Sequence, residues 1–142
     1  MSGSLKEVGV IIGEASSNEF FFSSKPGEMP SRWEYLLTYS EEDIDGKPKQ
    51  VEVVAQIERV ISASQALTKE LDFEIIKKII ESGLADRKVW GKARVLGYLT
   101  ESGDLQQPKK AVIPGKPVYI APAELLEKYY SYPEYEAIKI GA

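Results

Sequence analysis

The chain has 142 residues, a net charge of −4 and a pI near 5.0, with 43% hydrophobic and 28% charged residues. This length and balance predict one soluble globular domain over residues 1–142, and the acidic charge argues against a domain that binds nucleic acid unaided through a basic face. The absence of cysteine and histidine excludes disulfides, thiolate catalysis and the commonest general base and metal ligand, and no apolar run approaches the roughly 20 residues of a membrane span.

The N-terminal half predicts strands joined by tight turns. Residues 40–49 are acidic and rich in turn formers, and Asp45-Gly46 at their centre is a strong hairpin signal between two apolar runs. The apolar runs themselves are rich in β-branched and aromatic residues, which is typical of strands. Strands are predicted at residues 8–12, 19–23, 35–39 and 51–61.

One segment predicts an amphipathic helix inserted between strands, at about residues 72–83. Asp72 suits the N-cap position, and Gly83 suits the left-handed position after the last turn. Four large apolar residues recur at helical spacing and share one face, which we expect to pack on the sheet or on one end of a barrel. These residues are Phe73, Ile76, Ile79 and Ile80.

The sequence after this helix predicts a return to short strands. The run KVWGKARVLGYL at residues 88–99 predicts a long strand, and its glycines, Gly91 and Gly97, indicate a bulge or a bend at a barrel corner. The remaining elements are turns at residues 102–104 and 114–115, a strand at 118–121, a helix at 122–129 and the start of a strand at 137–141. The whole pattern predicts a mainly β fold, a small closed or nearly closed β-barrel with the helical insertion and a short C-terminal helix.

Two Gly-Lys pairs raise the question of a phosphate-binding loop. Such a loop needs a Gly five residues before the pair and a Ser or Thr after it, so that backbone N–H groups and a hydroxyl can hold phosphate and Mg²⁺. Gly46-Lys47 and Gly115-Lys116 have neither feature, and each runs into proline. The sequence therefore predicts that Gly115-Lys116 is a turn entering a strand.

Two other motifs suggest sites less strongly than they suggest structure. The acidic residues at 41–45 offer oxygens to a metal, but their spacing does not match a calcium loop, and a solvated hairpin tip is predicted. Phe20, Phe21 and Phe22 resemble a base-stacking platform, but their flanks are Glu19 and Lys25 rather than a basic cluster. Alternation along a strand instead predicts that Phe20 and Phe22 share one face and enter the core.

Scattered arginines and C-terminal tyrosines are the remaining candidates for contacts. Arg32, Arg59, Arg87 and Arg94 are scattered, which predicts surface ion pairs, although one of them could meet a neighbouring subunit. Tyrosine offers a large contact area with a polar tip, so the C-terminal tyrosines suit either an interface or the packing of the last helix. They are Tyr129, Tyr130, Tyr132 and Tyr135.

The order of segments resembles the N-terminal domain of HerA-type archaeal hexameric DNA translocases, members of the FtsK-like ATPase superfamily. The stretches that carry the resemblance are residues 9–22, 51–64, 93–99, 114–126 and 138–141. The resemblance covers nearly the whole chain and implies a HAS-barrel, the fold of the N-terminal barrels of rotary ATP synthase subunits. It also implies that the ATPase motor domain, which would bind ATP and Mg²⁺, lies outside these residues, so this domain would have no catalytic, metal or cofactor residues of its own.

The resemblance further implies a collar that assembles with a hexameric ring and docks the NurA nuclease for DNA end resection in double-strand break repair. The protein would be cytoplasmic and nucleoid-associated, with no membrane partner, and would meet DNA through the full complex. An alternative from the residues alone is a single-stranded nucleic-acid-binding barrel of OB type; a small carboxylate enzyme is a third. The candidates for partner docking or the subunit interface are Trp33, Arg94, Tyr129, Tyr130, Tyr132, Tyr135, Ile138 and Ile140.

Overall fold

The computed structural model describes residues 5–130, and within them the chain forms seven strands and two helices. The predicted strand at 137–141 lies outside the described residues. The elements in chain order are β1 (Glu7–Ala15), β2 (Glu19–Ser24), β3 (Tyr35–Ile44), β4 (Lys47–Ala63), α1 (Phe73–Glu81), β5 (Lys88–Leu99), β6 (Leu105–Gln106), β7 (Pro117–Ile120) and α2 (Ala123–Tyr130).

The predicted mainly β barrel is confirmed as a closed, six-stranded antiparallel barrel with two short helices. The sheet runs in the order β2-β1-β7-β3-β4-β5-β6, and β2 also pairs with β5, which closes the barrel and leaves the two-residue β6 outside it. The hairpin at Asp45-Gly46 is confirmed, with both residues at positive φ, 54° and 78°. The strands on either side reach this turn, so β3 and β4 are longer than predicted.

The barrel interior is an apolar core built by alternation along the strands. Phe20 and Phe22 are both fully buried in it, as predicted, which removes them as a stacking platform. The ring of Phe22 lies against Gly91 on the paired strand β5, where a Cβ atom would come within 2.8 Å of two ring atoms. Close packing with an aromatic ring therefore requires glycine at position 91.

A second apolar cluster lies on the outer face of the barrel, under α2. Leu37 and Val54 point away from the core residues that flank them along β3 and β4, and they pack with Ala121 and Leu125. The backbone N–H groups of Leu125 and Leu126 both bond to the carbonyl of Pro122, which starts the helix. Helix α2 therefore covers part of the outer barrel surface.

The acidic run at 41–45 differs from its prediction at Glu42. That residue is only 3% exposed, and its carboxylate accepts hydrogen bonds from the backbone N–H groups of Lys109 and Lys110 at 3.1 and 3.0 Å. A buried carboxylate needs such donors, and here they come from the connection between β6 and β7. The prediction of a wholly solvated tip is wrong at this position, although Asp43 is exposed and pairs with the Lys110 ammonium at 3.2 Å.

Helix α1 has the predicted ends but not the predicted packing. Gly83 has φ 79°, and the N–H groups of Gly83 and Leu84 bond to the carbonyls of Ile80 and Ile79, which caps the C-terminus. No residue of α1 is buried, and the helix makes no extended packing contact with a described strand. The prediction that its apolar face packs on the barrel is wrong, because β4 continues beyond the start of β3 and carries the helix away.

Neither described helix combines the length and the apolar character that a membrane crossing would require.

Candidate functional site

Of the eight predicted contact residues, the structure describes the side chains of Trp33 and Arg94. Tyr129 and Tyr130 belong to α2, but their side chains are outside the described part. The other four predicted residues also lie outside it: Tyr132, Tyr135, Ile138 and Ile140.

Trp33 is held in an unusual backbone conformation just before β3. Its φ is 78°, which is rare for a bulky L-residue, and its side chain is 51% exposed. Its N–H donates to the carbonyl of Ile57 at 2.9 Å, and its carbonyl accepts from the Gln56 amide at 3.1 Å. Both backbone groups of Trp33 are therefore anchored to β4 while its indole faces solvent.

Arg32 fixes the indole of Trp33 from one side. Its guanidinium carbon lies 4.2 Å from the centroid of the ring, a cation–π contact, and its Nε donates to the carbonyl of Glu58 at 2.7 Å. The two side chains form a rigid corner, which we call the Arg32–Trp33 corner. Tryptophan and arginine are the residue types that most often dominate binding energy at protein interfaces.

Arg94 belongs to the same outer surface as this corner. It is exposed on β5 and is the direct cross-strand partner of Gln56, whose amide bonds to Trp33. The structure therefore brings two predicted contact residues to neighbouring positions, with Gln56 between them. Sequence spacing alone gave no sign of this, because 61 positions separate Trp33 from Arg94 in the chain.

The predicted ion pairs of the four arginines are not formed within the described residues. The ion pairs found there belong to lysines: Lys92 with Glu19 and Glu58, and Lys110 with Asp43. The reason is geometric, since Arg32 and Arg87 instead turn their Nε atoms to neutral acceptors, the Glu58 carbonyl and the Ser62 hydroxyl.

A surface groove runs beside the Arg32–Trp33 corner. It lies between the loop before β3, the end of β4 and the start of β5. Two arginines and mainly apolar residues line it, and the described lining contains no carboxylate. Its main lining residues are Met29, Pro30, Arg32, Val60, Arg87 and Val89.

The excursion between β4 and β5, residues 64–87, is the surface that the sequence analysis missed. Phe73 is 69% exposed and Leu84 is 71% exposed, and Ile80 is also exposed. The amphipathic pattern was visible in the sequence, but nothing in it indicated that Phe73 and Ile80 of the apolar face would remain exposed. An apolar helix face open to water is typical of a site that a partner covers.

Asp86 fastens the base of this excursion. Its carboxylate accepts hydrogen bonds from the Ser64 hydroxyl and from the backbone N–H groups of Gln65 and Ala66. The bond from Ser64, followed by those from Ala66 and Gln65, lowers the pKa of Asp86 to about 2. The ends of the excursion are therefore joined by hydrogen bonds even though no residue of its helix is fully buried.

The Gly115-Lys116 pair is a turn entering β7, as predicted. Gly115 has φ 93°, and its N–H donates to the carbonyl of Ile11 at 2.8 Å. This N–H group therefore bonds to strand β1 of the barrel. Among the described residues, no three acidic side chains lie close enough together to hold a metal ion.

No protein-family model matches this chain. The chain is similar to a probable helicase of Methanocaldococcus jannaschii, with 30% identity over 128 residues. The similarity covers 87% of this chain but 23% of the helicase, so the chain spans about a quarter of the length of that relative. The barrel is thus related to one segment of a much longer probable helicase.

Proposed function

We propose that this chain is a non-catalytic N-terminal barrel domain of a HerA-type hexameric DNA helicase, and that it docks the NurA nuclease and neighbouring subunits. The observation that carries the proposal is the similarity to a probable helicase over 87% of this chain and 23% of that protein. A motor domain outside this sequence would bind ATP and Mg²⁺ and drive translocation. The complete machine would act in the cytoplasm, at the nucleoid, on DNA ends undergoing resection.

The exposed excursion supports a docking role for this domain. Helix α1 presents large apolar side chains to solvent, and hydrogen bonds at Asp86 and Gly83 hold both ends of the segment in place. Fully covering one such side chain would contribute about 1.5–3 kcal/mol to association. We assign this face to the nuclease, because a preorganised helix with an apolar face suits a groove on a partner protein.

The nucleic-acid alternative loses its main support from the sequence. Phe20 and Phe22, which would have been the stacking residues, are fully buried in the core. We therefore propose that contact with DNA belongs to the complete complex rather than to this domain.

Calorimetric titration of the 142-residue chain with purified NurA tests the proposal, with a labelled single-stranded oligonucleotide as competitor. We expect saturable binding of the nuclease and no displacement by the oligonucleotide. Phe73→Asp should weaken binding by at least about tenfold, because it replaces the most exposed apolar side chain of α1 with a charge. Thr68→Asp is the matched control, since it adds the same charge at an exposed position of the same excursion.

Three results would contradict parts of this proposal. Absence of nuclease binding by the parent chain would remove the docking role, and ATP hydrolysis by the purified chain would remove the non-catalytic assignment. Equal weakening by Phe73→Asp and Thr68→Asp would show that charge, rather than the apolar face, governs binding. Sedimentation of both variants would identify a neighbouring copy of the chain as the occupant if Phe73→Asp alone changed self-association.

A further inference from the structure

The backbone of Trp33 adopts a left-handed conformation although the residue lies at the surface. A left-handed conformation is sterically costly for an L-residue, and Trp33 adopts it while half of the residue remains exposed. Hydrogen bonds to Ile57 and Gln56 hold that conformation. Strain of this kind is found mostly where a side chain must be presented in one geometry, so the ring is preorganised for a contact outside the domain.

The two arginines of the adjoining groove are also preorganised. Arg32 is fixed by its Nε bond to the Glu58 carbonyl and by stacking on Trp33, and Arg87 by its Nε bond to the Ser62 hydroxyl. Within the described residues neither guanidinium has a carboxylate partner. Their terminal nitrogens therefore remain available for the bidentate pairing with an anion that arginine geometry favours.

The floor between these two cations is apolar. This floor consists of the apolar lining residues Met29, Pro30, Val60 and Val89, of which Val60 is exposed and Val89 is buried. A site with an apolar floor and two oriented guanidiniums matches a ligand that combines an apolar side chain with a nearby carboxylate. A phosphate chain alone would satisfy the arginines but would leave the apolar floor uncovered.

We propose that the groove beside the Arg32–Trp33 corner binds a peptide segment of a partner protein in which a large apolar side chain lies next to an acidic residue. The apolar side chain would fill the floor at Val60 and contact the indole of Trp33, and the acidic side chain would pair with Arg87 or Arg32. This site is separate from the face of α1, and its assignment stands whether or not the nuclease proves to be the partner.

Charge around the groove favours such a peptide over nucleic acid. Glu28, Glu34 and Glu58 lie in the segments that surround it, and the whole chain carries a net charge of −4. A nucleic-acid strand needs a continuous basic track along its backbone, whereas one acidic peptide side chain needs only one or two cations.

Two-dimensional ¹H–¹⁵N NMR of the 142-residue chain tests the inference through the indole N–H of Trp33. The other tryptophan is Trp90, so a Trp90→Phe variant assigns the signal. The probe is a capped hexapeptide in which a single aspartate follows a leucine and a phenylalanine among neutral polar residues, and the comparison peptide has this aspartate replaced by asparagine. We expect a saturable shift of the Trp33 signal with the aspartate peptide, and a response at least about fivefold weaker with the asparagine peptide.

Substitutions then separate this groove from general surface charge. Arg87→Ala should weaken binding of the aspartate peptide at least about fivefold, whereas Arg59→Ala, at an exposed arginine of β4 that does not line the groove, should change it less than about twofold. The amide signals of Gln65 and Ala66 report whether Arg87→Ala has disturbed the neighbouring hydrogen bonds at Asp86. No shift with either peptide, equal responses to both, or tighter binding of an oligothymidylate would each overturn the inference.

Discussion

At the scale of single residues, Gly91 and Trp33 carry constraints that neighbouring atoms impose. Gly91 lies where the ring of Phe22 leaves no room for a Cβ atom, and the backbone of Trp33 has a φ in the left-handed region. The constraint at Gly91 concerns packing in the core, and the constraint at Trp33 concerns the conformation of an exposed residue. Each can be tested by a substitution that changes one variable.

We expect Gly91→Ala to destabilise the domain by about 1–3 kcal/mol, because the added methyl group would lie 2.8 Å from two atoms of the Phe22 ring. Chemical denaturation followed by circular dichroism measures the change. The effect should be smaller in a Phe22→Leu background, where the ring atoms are gone, and the double-mutant cycle gives the coupling. Equal losses in both backgrounds would show that Gly91 has another role.

At Trp33 we expect Gly to be more stable than Ala by about 1 kcal/mol, because only glycine adopts φ near 78° without steric cost. Comparing Trp33→Gly with Trp33→Ala removes the indole from both variants, so the difference in unfolding free energy isolates the backbone strain. The same pair at exposed Thr68 is a useful control for the flexibility of glycine. A Trp33→Ala variant as stable as Trp33→Gly would mean that Trp33 stores no strain.

Asp86 gives the excursion a defined response to acid. The pKa of Asp86 in the folded chain is about 2, below its ordinary value. The stabilisation that its carboxylate gives to the excursion is therefore fully present above about pH 4 and is lost as the pH falls through 2. We expect the protection factors of the Gln65 and Ala66 amide protons, which compare their exchange with that of an unstructured chain at the same pH, to fall across this interval, and Asp86→Asn to remove that fall. Asp72→Asn is the control, since the Asp72 side chain makes no capping bond.

At the scale of elements, local rules predicted the ends of segments well. Asp45-Gly46 was identified as a hairpin turn and Gly83 as a helix end because each depends on a few adjacent residues. Contacts between distant segments were harder to predict. The burial of Glu42 under residues 109–110 and the anchoring of Trp33 to β4 depend on pairings that no local pattern encodes.

Helix α1 is the clearest case of this difference. Its amphipathic pattern and both of its ends were predicted. The same pattern is typical both of a helix that packs on its own domain and of a helix whose apolar face binds another protein. The two possibilities differ in how far β4 continues past the residue that pairs with the first residue of β3. That extension of β4 depends on its pairing with β5. The site residues near the C-terminus stay predictions, because their side chains lie outside the described residues.

Replacing residues 64–87 with Asn-Gly should leave the barrel folded. Ala63 and Lys88 are cross-strand partners, so a two-residue turn can join them directly. We expect unchanged or higher stability, by up to about 1–2 kcal/mol, because a shorter connection lowers the entropy of loop closure and α1 adds little packing. Thermal unfolding of the shortened chain measures this, and a collapse of the barrel would show that the excursion stabilises the core.

At the scale of the whole molecule, the barrel presents a rigid frame with two kinds of surface. Helix α2 covers one part of the outer wall. The excursion and the Arg32–Trp33 corner are exposed on the side of the barrel that carries β4 and β5. A frame of this kind can hold separate contacts in fixed relative positions. This arrangement suits a domain that links a larger machine to its partners.

Closure of the barrel requires β7 to pair with β1 and β3, and it also requires β2 to pair with β5. Strands β2 and β5 are separated by almost half of the chain, and long-range pairings of this kind form slowly because a large loop must close first. During synthesis β2 leaves the ribosome long before Arg94, its last partner on β5, so one edge of β2 stays unpaired in the meantime. An open strand edge can pair with another nascent chain, so the domain is vulnerable to misassembly during this interval.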